Sequence, residues 1–246
     1  ADWSGDWYEH YQRAVYFTLW PFDTTFEFIE LYLLPARPPL MNVISASVIA
    51  QIGSAFSDFQ VTMTFLNSLI YFPLLALAGI VGGRNRYVPW VLVFVFALSP
   101  LFCQNVTYTW TRLFAGFFVV LGLVLYVEGW RVGDSARMIG SFSALAAGFL
   151  THYSVGPYLV FLAAHYLLFL WRRRVHPTRE LALISLGGVL ILSSWFAWSI
   201  MTFGTEATFA SNTSVTESRK LTRAENLVKT LTNIERTFVP FVFHRS

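Results

Sequence analysis

"RLFAGFFVVLGLVLYVEGWR", residues 112–131, opens on an arginine, runs from Leu113 to Val127 without a charged side chain, and closes on Glu128 and Arg131. At 1.5 Å per helical residue such a run approaches the roughly 30 Å of a bilayer's hydrocarbon core. It reads as a transmembrane helix. Working outward, similar runs lie at 61–82, 87–103, 138–151, 154–171 and 180–203, which with 112–129 makes six spans. The whole chain agrees: of 246 residues, 55% are hydrophobic and only 13% charged, where a soluble domain carries about 25%. The fold class is therefore all-α, a polytopic membrane helix bundle with outer-face interfacial helices.

Charge placement orients the bundle. Arg84 and Arg86, then Arg131 and Arg137, then Arg172, Arg173, Arg174 and Arg179 follow alternate spans, whereas the links at 104–111 and 152–153 contain no Lys or Arg. The positive-inside rule puts the arginine-bearing links in the cytoplasm and both ends of this chain outside, in a plasma or inner membrane. A net charge of +3 is then a mark of topology, and no nucleic-acid footprint is present. The single cysteine, Cys103, rules out an intrachain disulfide. With no initiator Met, the chain reads as a piece of a longer protein.

Three regions follow. Residues 1–41 form an outer acidic loop, with Asp2, Asp6, Glu9, Asp23, Glu27 and Glu30 against Arg13 and Arg37, and with aromatic residues suited to helices lying at headgroup level. Residues 42–203 form the bundle, in which the short stretch 42–57 is expected to be re-entrant or interfacial, because a further crossing would invert every later loop. Residues 204–246 form an outer loop with an amphipathic helix, marked by a Thr222/Glu225 capping box, an apolar stripe through Leu227, Val228, Leu231 and Ile234, and a Glu225–Lys229 pair.

Four places could carry chemistry. In "GDWYEHYQRA", residues 5–14, Asp6, Glu9 and His10 share one helical face and could bind a metal or substrate or supply a base; a solvated surface face is the competing reading. In "ARPPL", Arg37 precedes two prolines and offers a planar fork to a phosphate or carboxylate, or anchors the interface. Arg112, entering its span behind Tyr108 and Trp110, is a lone outer cation that needs an anionic partner or a snorkel to water. In "GFLTHYSVGPY", His152 and Tyr153 interrupt the chain after a fourteen-residue run of about 21 Å, too short to reach the surface, so the break is expected to line a cavity, with a satisfied structural histidine as the competing reading. No Gly-rich phosphate loop, CxxC, HExxH or GxSxG is present, so soluble nucleotide and serine-nucleophile chemistry have no support in the sequence.

In order, "GDWYEHYQRA", "ARPPL", the membrane-dipping stretch, "SPLFCQNVTYTWTRLFAGFFVVLG" and "GFLTHYSVGPY" resemble the GT-C fold glycosyltransferases, closest to the protein O-mannosyltransferase and lipid A aminoarabinose transferase branch. The resemblance implies an enzyme that moves a sugar from a polyprenyl phosphate carrier to an acceptor at the outer face. It makes Asp6 the catalytic aspartate, although the family often has Asp-Glu where this chain has Asp-Trp. Glu9, His10, Arg37, Tyr108, Arg112, His152 and Tyr153 would bind the substrate. Chemistry concurs, since a base must take the acceptor proton and fixed cations must meet the charge growing on the leaving phosphate. No cofactor is implied beyond a divalent metal, which stays open. Expected partners are membrane lipids, the sugar donor, and further helices on either side of this chain. The alternatives are a non-catalytic subunit or scaffold of a larger complex and, third, a transporter, which the lack of mid-span charges disfavours.

Overall fold

The computed structural model describes residues 5–19, 23–30, 32–82, 85–211, 224–225, 227–228 and 231. Contacts divide the chain into two units, 1–211 and 212–246. Within the described residues every regular element is helical, apart from one isolated antiparallel bridge between Phe28 and Tyr32. The protein is an all-α membrane helix bundle.

The first unit contains α1 (Asp6–Tyr16), a short 3-10 turn (Leu34–Ala36), α2 (Leu40–Ile52), α3 (Phe56–Ser68), α4 (Tyr71–Gly82), α5 (Val88–Leu98), α6 (Pro100–Thr107), α7 (Arg112–Val132), α8 (Ser135–Thr151), α9 (Gly156–His165) and α10 (Pro177–Ala210). Among the described residues, four stretches are long and apolar enough to cross a membrane: Phe56–Gly82, Arg112–Val132, Tyr153–Arg173 and Pro177–Phe209. The run at 87–103 is divided instead. Ser99 leaves the helical region, its side chain accepts a bond from the Phe102 amide, and Pro100 starts α6, because the residue before a proline avoids the helical state and proline suits a first helical position. At 17 residues, or about 25 Å, α8 is just short of a full crossing. Leu40–Ile52 is a separate, shorter apolar helix.

The centre is the α7–α8 hairpin. Gly133 ends α7 in the left-handed region that glycine favours, and the Asp134 side chain caps α8 by accepting from the Ala136 and Arg137 amides. A side chain at Gly122 would meet Leu145 at 2.9 Å and the Ser141 carbonyl at 3.2 Å, so only glycine lets the two helices approach this closely. Ser141 Oγ uses the closeness to donate to the Gly122 carbonyl at 2.7 Å.

Polar ties bind each end. At one end Arg174 donates twice to Glu180, at 2.8 and 2.6 Å, and once to the Gly129 carbonyl; Tyr166 and Ser135 also donate to Glu180, and Arg137 pairs with Glu128. The hydrogen bonds it donates to Glu180 raise the Arg174 pKa, so this guanidinium is locked in its charged form. At the other end, Tyr16, Phe28 and Leu34 pack with Leu150 of α8 and Trp195 of α10, seating α1 and its following loop on the bundle. α10 breaks at Gly204 (φ 83°), and Thr208 there bonds both the Gly204 carbonyl and Ser199 Oγ at 2.8 Å.

Of the second unit, residues 224, 225, 227, 228 and 231 are helical, with Leu227, Val228 and Leu231 exposed. Thr222, Lys229 and Ile234, and with them the expected capping box and ion pair, lie outside the described residues.

Candidate functional site

α1 turns Glu9, His10, Arg13 and Ala14 inward, all at most 2% exposed. Their spacing places them on one side of an α-helix. Asp6 begins the helix, and its side chain is outside the described set. The charges on this face are not solvated. Arg13 Nε donates to Glu9 Oε1 at 2.7 Å, its Nη1 and Nη2 donate to the Leu34 and Leu33 carbonyls at 2.6 and 3.0 Å, and its guanidinium lies 4.4 Å from the centre of the Phe28 ring. Burial pushes the Arg13 pKa down, and the Glu9 carboxylate opposes that shift; the group nonetheless stays charged.

Arg37 approaches the same carboxylate from the other side. Its Nη2 is 3.3 Å from Glu9 Oε2, and its guanidinium lies over Tyr32 at 5.1 Å. The local sequence holds it there: Arg37 is extended (φ −129°, ψ 146°) as a residue before proline must be, and Pro38 and Pro39 are buried behind it. Tyr153 lies within electrostatic reach of both Arg13 and Arg37. Glu9, Arg13, Arg37 and Tyr153 thus form one assembly in which two guanidiniums share a single carboxylate. His10 Nδ1 meets Asn42 Oδ1 of α2 at 3.2 Å; since the amide oxygen only accepts, that nitrogen carries the proton.

The link before α7 attaches to this assembly through backbone. Thr109 Oγ1 donates to the Trp7 carbonyl at 3.4 Å, and Asn67 Nδ2 donates to the Tyr108 carbonyl at 3.2 Å. Arg112, the first residue of α7, stacks over Trp110 at 3.5 Å. It stands at the mouth of a groove of about 480 Å³ whose walls are Gly116, Val119 and Leu123 of α7 and Tyr158, Phe161 and Leu162 of α9. Ser154 lines the same groove, two residues from His152. His152 itself ends α8, and its Nδ1 accepts from the Ser154 amide at 3.1 Å, starting the turn that leads into α9.

The structure therefore brings Glu9, Arg37 and Tyr153 together, sets His10 beside them, holds the Tyr108 backbone near α1, and places Arg112 on a separate apolar groove. Arg13 and Asn42 complete the assembly and were not among the expected residues. The i,i+4 spacing of Glu9 and Arg13 is a sequence signal for the first; nothing local marks Asn42. Both Glu9 oxygens face guanidiniums, so Glu9 does not fit a metal ligand, and among the described residues no group of three or more His, Cys, Asp or Glu side chains comes together. Among the described residues, several buried atoms near this end have no hydrogen-bond partner: Trp7 Nε1, Glu9 Oε2, Asn42 Nδ2, Asn67 Oδ1 and Thr111 Oγ1. Such atoms mark places where water or ligand commonly supplies the missing bond. The chain matches no protein-family model, no curated protein and no solved structure, so the resemblance to GT-C glycosyltransferases has no support from any known protein.

Proposed function

We propose that this chain is the membrane-embedded body of a glycosyltransferase that takes its sugar from a polyprenyl phosphate carrier. The observation that carries the reading is Arg112 at the mouth of the α7–α9 groove: long apolar walls end at a single guanidinium, which matches a prenyl tail ending in a phosphate. Arg37, held beside Glu9 in the neighbouring assembly, is a further guanidinium at this end of the bundle. By the positive-inside rule, the end carrying Arg86, Arg131, Arg137, Arg172, Arg173 and Arg179 would face the cytoplasm, leaving α1 and the groove mouth outside.

In this reading Asp6 accepts the proton of an acceptor hydroxyl as its oxygen attacks the anomeric carbon. The bond from that carbon to the carrier phosphate breaks, and the phosphate leaves with the electron pair beside Arg112. The configuration at the carbon inverts.

A non-catalytic subunit is the second reading. It is favoured by the burial of Glu9 between Arg13 and Arg37, which pair with it as in a structural brace.

Membranes containing the full-length protein, supplied with radiolabelled polyprenyl phosphate sugars, separate the two. Transfer that is lost in Asp6→Asn, with the protein still folded, supports the enzyme. Binding of undecaprenyl phosphate that Arg112→Ala weakens by about tenfold or more, as expected for a charge-assisted contact, supports the groove assignment. Binding indifferent to Arg112, together with no transfer from any sugar, would sink the reading.

A further inference from the structure

The face of α1 opposite the buried charges has its own pocket. At 100° per residue, Tyr8, Tyr11, Gln12 and Val15 point away from Glu9, His10 and Arg13. Together with Tyr16, Leu19, Asp23 and Phe26 they line a hollow of about 310 Å³. Four aromatic rings make up much of its wall. Tyr16 and Phe26 lie 5.8 Å apart between ring centres, and Tyr8 and Tyr11 lie 5.7 Å apart. Tyr16 donates its hydroxyl proton to the Asp23 carbonyl at 2.5 Å, which fastens the loop carrying Asp23 and Phe26 to the helix.

Among the described residues, Asp23 is the only charged one in the lining. Its Oδ1 accepts both the Thr25 amide at 2.9 Å and the Thr25 hydroxyl at 2.7 Å, while among the described residues nothing bonds Oδ2. Those two bonds hold the carboxyl below its usual range, so it is ionised throughout ordinary conditions. The Gln12 carbonyl oxygen is occupied by the Ile29 amide at 2.9 Å. Aromatic faces carry negative quadrupole potential, and one exposed carboxylate adds a full negative charge. Both favour a cation. A sugar could use the Gln12 amide nitrogen and the Tyr8 hydroxyl as well as Asp23, but it carries no positive charge to meet the carboxylate. A plain alkyl group would leave the carboxylate unused.

We propose that this pocket binds an organic ammonium group, held by the ring faces of Tyr8, Tyr11, Tyr16 and Phe26 and by the Asp23 carboxylate. The ammonium belongs to a lipid head group or to a soluble amine; the chemistry is the same for both. This site is independent of the Arg112 groove and of the glycosyltransferase reading.

The test uses full-length protein in nanodiscs of phosphatidylglycerol, which bear no ammonium, and equilibrium dialysis with radiolabelled choline. Choline is expected to bind saturably. Its uncharged isostere 3,3-dimethylbutan-1-ol should compete at least about tenfold more weakly, since it lacks the charge that the rings and carboxylate attract. Asp23→Asn, at an exposed position, and Tyr8→Leu, at a half-exposed one, should each weaken choline about fivefold or more without unfolding the protein. Arg112→Ala should leave choline binding unchanged, which keeps this test apart from that of the proposed function. Phosphatidylcholine nanodiscs that abolish the choline signal identify a lipid head group as the source; an undiminished signal identifies a soluble amine. Equal competition by the isostere, binding unaffected by both variants, or occupation by methyl glucoside but not choline would overturn the proposal.

Discussion

Glu9 faces Arg13 with one oxygen and Arg37 with the other, so removing its charge takes the carboxylate away from Arg13, a guanidinium only 1% exposed. Breaking a buried pair in this way typically costs about 3–5 kcal/mol. Glu9→Ala should therefore lower the unfolding midpoint of the detergent-solubilised protein sharply, and a double variant Glu9→Met with Arg13→Met should lose less than the two single losses combined. An unchanged midpoint for Glu9→Ala would show that the network is not a brace. Asp23 allows a prediction in pH. Its folded pKa is depressed, so the ionised form that attracts an ammonium persists as pH falls through the ordinary aspartate value of about 3.9 and is lost only below it. Choline retained by the protein should be constant from neutral to mildly acid pH; loss already near pH 6 would contradict that assignment. Half of this residue-scale picture is legible locally. Glu9 and Arg13 stand four apart and announce their pairing, whereas Arg37 and Asn42 reach α1 only because the buried prolines and α2 fold back against it.

Among the elements, α7 and α8 depend on closeness. Gly122→Val would press into Leu145 and the Ser141 carbonyl, an overpacking that costs about 1–3 kcal/mol, and would be read as a lowered unfolding midpoint. Gly188 of α10 is the control. A side chain there meets nothing within 4 Å, so Gly188→Ala should be neutral or gain about 0.5–1 kcal/mol from helix propensity. If Gly122→Val proved as harmless as Gly188→Ala, the hairpin would not be set by that contact. Helix existence follows from apolar run length, which is why α7 and α10 emerge nearly where the sequence places them. The break at Ser99–Pro100 does not emerge from run length, since hydropathy is blind to a missing amide; it is visible only when proline's backbone restriction is weighed against the apolar run.

Across the whole molecule, the ends differ in kind. One gathers arginines around Glu180, Gly129 and Glu128; the other gathers α1, the proline bracket and the groove mouth. The proposed orientation predicts the labelling of single cysteines placed in a Cys103→Ser background. In intact cells an impermeant maleimide should label Thr18→Cys, and should label Val175→Cys, at an 88% exposed position, only after permeabilisation. The reverse pattern would invert the topology and put the groove mouth in the cytoplasm.

The sequence by itself determined that this protein is a bundle of membrane helices, because uninterrupted apolar runs have no stable place in water and only helices satisfy their backbone in lipid. It also determined which residues carry charge in so apolar a chain, and hence where chemistry has to be sought. Only the tertiary structure decided how those charges are used. It turned Glu9 and Arg13 inward instead of toward water, brought Arg37 from beyond a loop to share the same carboxylate, and set Arg112 on a groove formed with α9. Such pairings depend on how close distant segments come, and a distance between helices is a property of packing that no local pattern of residues encodes.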